Sequence, residues 1–187
     1  QRRPSISSRT TSAIAFAPGQ AVATMAIVPL SASGRFCVYR SAAVHSIVDV
    51  SAYLGSQGET LWFDPSTPTR LTDTRIAGSP VTAGGTQTVP TTDAAPRLAN
   101  LAVVDGRAPG WLQAGRCGSL GPAAGFSNLN HMNSDARANL AIVDGADAGT
   151  CVFSLATAHV VVDELGRLTP DTGYGWKLAP PRRALDT

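Results

Sequence analysis

Apolar and β-branched residues in this chain fall into short runs separated by turn-forming residues. Val22–Leu30, Phe36–Arg40, His45–Val50, Leu98–Val104, Ala138–Val143, Thr150–Ser154 and His159–Glu164 all read as strands. Clusters such as Ser31-Ala32-Ser33-Gly34, Asp105-Gly106 and the stretch 144–149 supply the turns between them. No stretch holds a 3.6-residue period over three turns behind a capping residue, so helices are not expected. Short strands at regular spacing predict an all-β fold, an antiparallel β-sandwich or jelly roll. Thr150–Ser154 and His159–Glu164 are expected to form a hairpin through Leu155-Ala156-Thr157-Ala158. Pro80, Pro90 and Pro96 mark 79–97 as edge strand or loop, because proline cannot donate to a central ladder.

The same pattern occurs twice. Gly34-Arg35-Phe36-Cys37-Val38-Tyr39 and His45-Ser46-Ile47-Val48-Asp49 recur as Gly149-Thr150-Cys151-Val152-Phe153 and His159-Val160-Val161-Val162-Asp163, with Cys37 and Cys151 114 residues apart. Ala23–Val28 matches Ala138–Val143, and Trp62, Pro68, Arg70 and Asp73-Thr74 match Trp176, Pro181, Arg183 and Asp186-Thr187. A period of this length is a domain-sized unit, not a solenoid turn. The expected organisation is tandem β-sandwich or jelly-roll repeats. Residues 1–54 form the later half of one unit, 55–67 a linker, 68–168 a complete unit, and 169–187 a linker and the start of a further unit.

Charged residues make up 15% of the chain, against about 25% in typical soluble domains. The polar surface must be Ser, Thr, Asn, Gln and Gly, which suits an extracellular or assembly-packed protein. A net charge of +2, with no aromatic stripe beside Arg2-Arg3 or Arg182-Arg183, gives no case for nucleic acid. No apolar run approaches the length of a membrane-spanning helix. Cys117 and Cys151 share the complete unit, and a disulfide between them is the simplest account of three cysteines. Cys37, the copy of Cys151, is then left over, since Arg3 stands near the position matching Cys117.

Pro68-Thr69-Arg70-Leu71-Thr72-Asp73-Thr74-Arg75 resembles the opening of a repeat found in secreted actinobacterial proteins. Leu98–Val104, Gly110-Trp111-Leu112, Cys117-Gly118, Ser127-Asn128-Leu129-Asn130, Ala138–Val143, Cys151-Val152-Phe153 and Val161-Val162-Asp163 continue it in order. The resemblance covers Pro68 to about Leu168 in full and residues 12–54 as a later half. It implies a β-rich, tandem, surface-attached module and brings no catalytic residue with it. Asp163–Leu168 departs from the pattern, which ends in an aromatic residue. Tyr53 keeps that aromatic in the first copy.

Candidate chemistry is sparse. His45 and Asp49, like His159 and Asp163, are four residues apart, about 13 Å along a strand, too far to share a hydrogen bond. Asp73, Arg75, Asp163 and Asp49 are read as a structural polar lock, with Arg75 reaching Asp163 through charge-assisted bonds. Asn128, Asn130 and Trp111 are the candidates for gripping sugar hydroxyls, against a plain turn-supporting role for the amides. Trp62 and Trp176 are expected to pack between units. There is no Gly-x-Ser-x-Gly elbow, phosphate-binding loop or calcium-loop spacing, and neither a metal nor a cofactor is expected.

These features predict a non-catalytic extracellular structural module, a spacer or a subunit of a cell-surface assembly or filament. The alternative is a carbohydrate- or cell-wall-binding module serving a secreted enzyme. A half sandwich over 1–54 would expose Ile14, Phe16, Met25, Ile27 and Val28, and the expected cover is a strand of a neighbouring copy.

Overall fold

In β4 (Arg97–Val104), Arg97, Ala99, Leu101 and Val103 are buried while the residues between them are partly exposed. That period of two is a strand with one face turned into a core. The computed structural model describes residues 12–55, 61–144, 149–170 and 175–187, and the architecture is all-β and antiparallel. The other strands are β1 (Ile47–Gly55), β2 (Leu61–Asp73), β3 (Gly85–Val89), β5 (Gly110–Arg116), β6 (Leu129–His131), β7 (Arg137–Val143), β8 (Thr150–Ser154), β9 (His159–Thr169) and β10 (Gly175–Asp186). One sheet has the order β1-β10-β2-β9-β4-β7 and the other β3-β8-β5-β6.

The core lies between these sheets. Leu101, Val103, Val143, Val160 and Val162 from the first meet Val89, Leu112, Leu129 and Val152 from the second in one buried cluster. Removing such side chains from water is the main stabilising term, about 1.5–3 kcal/mol for each fully buried Val or Leu. The disulfide expected between Cys117 and Cys151 is present and ties the end of β5 to β8, its ladder neighbour. Closing a loop of 34 residues is worth about 3–4 kcal/mol in the chain-entropy picture.

Several expected elements differ. β8 and β9 do not form a hairpin: β8 pairs with β3 and β5, whereas β9 pairs with β2 and β4. Residues 155–158 instead cross from one sheet to the other, because both edges of each strand are already filled. The stretch read as a linker, 55–67, carries the start of β2, and 169–187, read as a linker and the start of a further unit, carries β10. Their prolines sit where the ladder bulges: the β2–β9 register shifts between Pro65 and Thr69, so the missing N–H groups interrupt pairing without ending the strand. Residues 79–97 do contain an edge strand, β3. Val22–Leu30 and Phe36–Arg40 are not strands.

Two ladders match pair by pair. β9 meets β2 as Val161↔Asp73, Val162↔Thr72, Asp163↔Arg70, Glu164↔Thr69 and Gly166↔Pro65. β1 meets β10 as Ile47↔Asp186, Val48↔Leu185, Asp49↔Arg183, Val50↔Arg182 and Ala52↔Leu178. Both ladders shift register at the same two places. Among the described residues, the ladder of β10 with β2 consists of Gly175↔Trp62 and Trp176↔Leu61.

Candidate functional site

Three clusters of charged residues stand on the ladders of β9 or β1, apart from the separate pairs Arg116–Asp144 and Arg137–Asp135. On β2, Arg70 donates through Nε to Asp163 and through Nη1 to Asp73 Oδ2 at 2.6 Å. The bulge after Arg70 sets its Cα opposite that of Asp163. Arg75 lies past the end of β2, where the chain turns, and folds back onto Asp73 with Nε–Oδ1 at 2.9 Å and Nη2–Oδ2 at 2.6 Å. The expected bond from Arg75 to Asp163 is not the one formed. Arg70 reaches Asp163, and Arg75 serves Asp73, because residues two apart share a face only while the strand continues. The Arg75 guanidinium, and then its backbone N–H, hold the Asp73 carboxyl far below the usual carboxylate range despite burial of its side chain.

The same bonds recur on the other ladder. Arg183 donates through Nε to Asp49 Oδ1 at 2.7 Å and through Nη1 to Asp186 Oδ2 at 2.7 Å. Each guanidinium thus bridges an aspartate on its own strand and one on the partner strand, fixing the register of the pair.

The third cluster was not anticipated. Arg97 and Glu164 are buried, and Arg97 Nε donates to Glu164 Oε2 at 2.8 Å. Arg97 Nη2 reaches Asp93 Oδ1 at 2.9 Å, while Arg167 bridges Glu164 Oε1 at 3.1 Å and Asp93 Oδ2 at 2.5 Å. Burial pushes the Asp93 carboxyl up, but the Ala95 N–H and the charges of Arg167 and Arg97 outweigh it and hold it below its ordinary value. The signal for this cluster was the parity of β4, in which Arg97 shares the inward face with Ala99, Leu101 and Val103. An open groove of about 430 Å³ borders the cluster, with Asp64, Ser66, Thr69, Thr92, Glu164 and Arg167 among its lining residues. Both oxygens of Glu164 and all three guanidinium nitrogens of Arg167 are already bonded to neighbours. The charges of Arg97, Glu164 and Arg167 are therefore spent on joining β4, β9 and the turn at Asp93.

The residues considered for sugar binding have internal partners. Asn128 Oδ1 accepts the Ala114 N–H at 2.8 Å, and the Asn128 carbonyl accepts Asn139 Nδ2 at 2.6 Å. Asn130 Oδ1 accepts Ser127 Oγ at 3.2 Å. Trp111 is half-buried against Phe153, with ring centroids 5.2 Å apart. His159 and Asp163 turn to different partners: His159 Nδ1 is 3.1 Å from Thr74 Oγ1, and Asp163 faces Arg70. Thr74 Oγ1 also accepts the Val160 N–H at 2.9 Å, closing the end of the ladder. His45 is exposed and Asp49 is held by Arg183. Trp62 is half-buried on β2, and the Trp176 side chain lies outside the described residues. Among the described residues, no group of His, Cys, Asp and Glu has the arrangement of a metal site, and no helix is long and apolar enough to cross a membrane.

No protein-family model, no curated protein and no solved structure matches this chain.

Proposed function

We propose that this chain is a non-catalytic structural module of an extracellular tandem-repeat protein, a spacer or subunit of a cell-surface assembly. One observation carries this reading: the β1–β10 ladder copies the β9–β2 ladder pair for pair, including both bulges and the arginine lock. In this reading β2 and β9 begin and end the same unit, whereas β1 ends one unit and β10 begins another, so the one lock fastens strands both within a unit and between units. The same strand-fastening chemistry stands in both ladders, which supports a structural role. The Cys117–Cys151 disulfide fits an oxidising compartment outside the cytosol. The internal bonding of Asn128, Asn130 and the groove residues supports a structural use over a carbohydrate-binding one.

Co-sedimentation with purified cell-wall polysaccharide tests the proposal. The chain is expected to stay in the supernatant, and Asn128→Ala is expected to lower its melting temperature without changing that distribution. Saturable pelleting that Asn130→Ala abolishes in a still-folded protein would replace the structural reading with the binding one.

A further inference from the structure

The amide-rich segment 127–130 takes no part in the locks, yet it starts a chain of hydrogen bonds that leaves its own unit. The Ala114 N–H of β5 donates to Asn128 Oδ1 at 2.8 Å. The Asn128 carbonyl accepts Asn139 Nδ2 at 2.6 Å. Asn139 Oδ1 in turn accepts the Met25 N–H at 2.9 Å, from 114 residues away. A carboxamide suits this place because it accepts on one side and donates on the other. Asn139 shares its face of β7 with the buried Ala141 and Val143, and is itself half-buried. The platform is firm. Gln113 Nε2 donates to the Phe126 carbonyl, and the Asn128 N–H donates to the Leu112 carbonyl at 2.9 Å, so residues 126–128 are fixed to β5.

The segment that answers this bond is seated where the bond is made. In residues 21–35, Val22, Ala23 and Met25 are half-buried and all the others are exposed. A second contact reaches the same platform. Arg70 spends its Nη2 inside its own lock, on Asp163 Oδ2 at 3.4 Å. Its counterpart Arg183 turns Nη2 to the Gly125 carbonyl at 3.5 Å, three residues before Asn128.

We infer that Gly125, Asn128 and Asn139 form the docking site of one repeat unit for its neighbours in the same chain, with residues 22–25 and Arg183 as the occupant. The inference rests on the repeat reading proposed above, in which 12–54 and β10 belong to the units before and after the complete one. The site recognises a backbone N–H presented to the Asn139 oxygen and a guanidinium presented to the Gly125 carbonyl. With the pairs Gly175↔Trp62 and Trp176↔Leu61, these bonds hold the flanking units to the complete one in three places. Units joined by a linker alone move freely against each other. Units docked in this way keep a fixed angle, which makes the tandem array a stiff spacer.

Nitroxide labels test the inference on the full chain in a Cys37→Ser background. One pair of sites is Thr24→Cys with Ala108→Cys, the other Ser51→Cys with Ala108→Cys, all at exposed positions. Pulsed dipolar electron resonance is expected to give one narrow distance distribution for each pair, unchanged when labelled chain is diluted with unlabelled chain. Asn139→Ala and Met25→Pro are each expected to widen the distribution between positions 24 and 108 at least about twofold, as release of a local contact does. Met25→Pro removes the donor alone, and Met25 lies in no strand, so this variant separates loss of the contact from loss of the fold. A broad distribution for either pair without these substitutions would overturn the inference. So would an unchanged width in either variant, or distances that vanish on dilution, which would put the contact between copies. None of these results bears on the polysaccharide experiment, so the inference and the structural reading fail separately.

Discussion

Residues 137–169 and residues 22–55, matched in the proposed repeat, stand in different surroundings. The first is built into a sandwich, with Val143 and Val152 almost wholly buried. The second leaves Val28 and Val38 about half exposed. Of the large apolar side chains exposed among the described residues, all but Ile76, Leu140 and Leu155 lie between Ile14 and Tyr53. The alternation of apolar and polar residues is thus a capacity to form a strand, and it is realised only where another strand supplies the ladder. β1 makes the point within one element: it is a strand where β10 pairs with it and an open edge on its other side.

Paired substitutions sharpen this contrast. The largest effect is expected at Glu164, whose removal takes from Arg97 its buried carboxylate partner and leaves it the half-exposed Asp93. Glu164→Ala should lose about 3–5 kcal/mol of stability in urea unfolding. The counterpart Val50 has no charge to answer, and Val50→Ala should lose far less. Leu101→Ala should lose about 2–5 kcal/mol, while Leu30→Ala, at a half-exposed position, should stay within about 0.5 kcal/mol. Equal losses for the two leucines would break the contrast.

Gly166 offers a third pair. A Cβ there would lie 2.4 Å from the Asp64 carbonyl oxygen. Gly166→Ala should therefore lower the melting temperature clearly, whereas the first copy already carries Ala52 at the matching position. The smallest expected effect is that of pH. Asp73 is held well below its ordinary value of 3.8. A depressed carboxylate stabilises the fold above the unfolded value and loses that contribution as the pH falls further. Asp73→Asn should flatten the stability curve below about pH 4, where the unfolded carboxyl protonates, and leave its slope near pH 7 unchanged.

Much of the interior was legible because its strands are short apolar and β-branched runs bounded by turn residues. Arg97–Val104, Arg137–Val143 and Thr150–Ser154 fall within one residue of their expected bounds. β2 and β10 were hidden by their own prolines, which signal a loop unless a bulge absorbs them, and a bulge depends on the opposing strand. Val22–Leu30 misled in the other direction, since its composition favours a strand and no ladder forms there. The disulfide followed from the repeat and the cysteine count. That Arg70 and not Arg75 reaches Asp163 was not legible, because sequence spacing does not reveal where a strand ends. The supposed hairpin between β8 and β9 failed for a similar reason: four residues suit a hairpin and a sheet-to-sheet crossing equally well.

Amide hydrogen exchange on the isolated 187-residue chain, read segment by segment, tests the central claim most directly. Amides of 138–143 and 150–154 should exchange only through near-global unfolding, while those of 22–30 and 36–40 should exchange orders of magnitude faster. Matching protection in the two sets, in a protein that stays monomeric, would contradict the account.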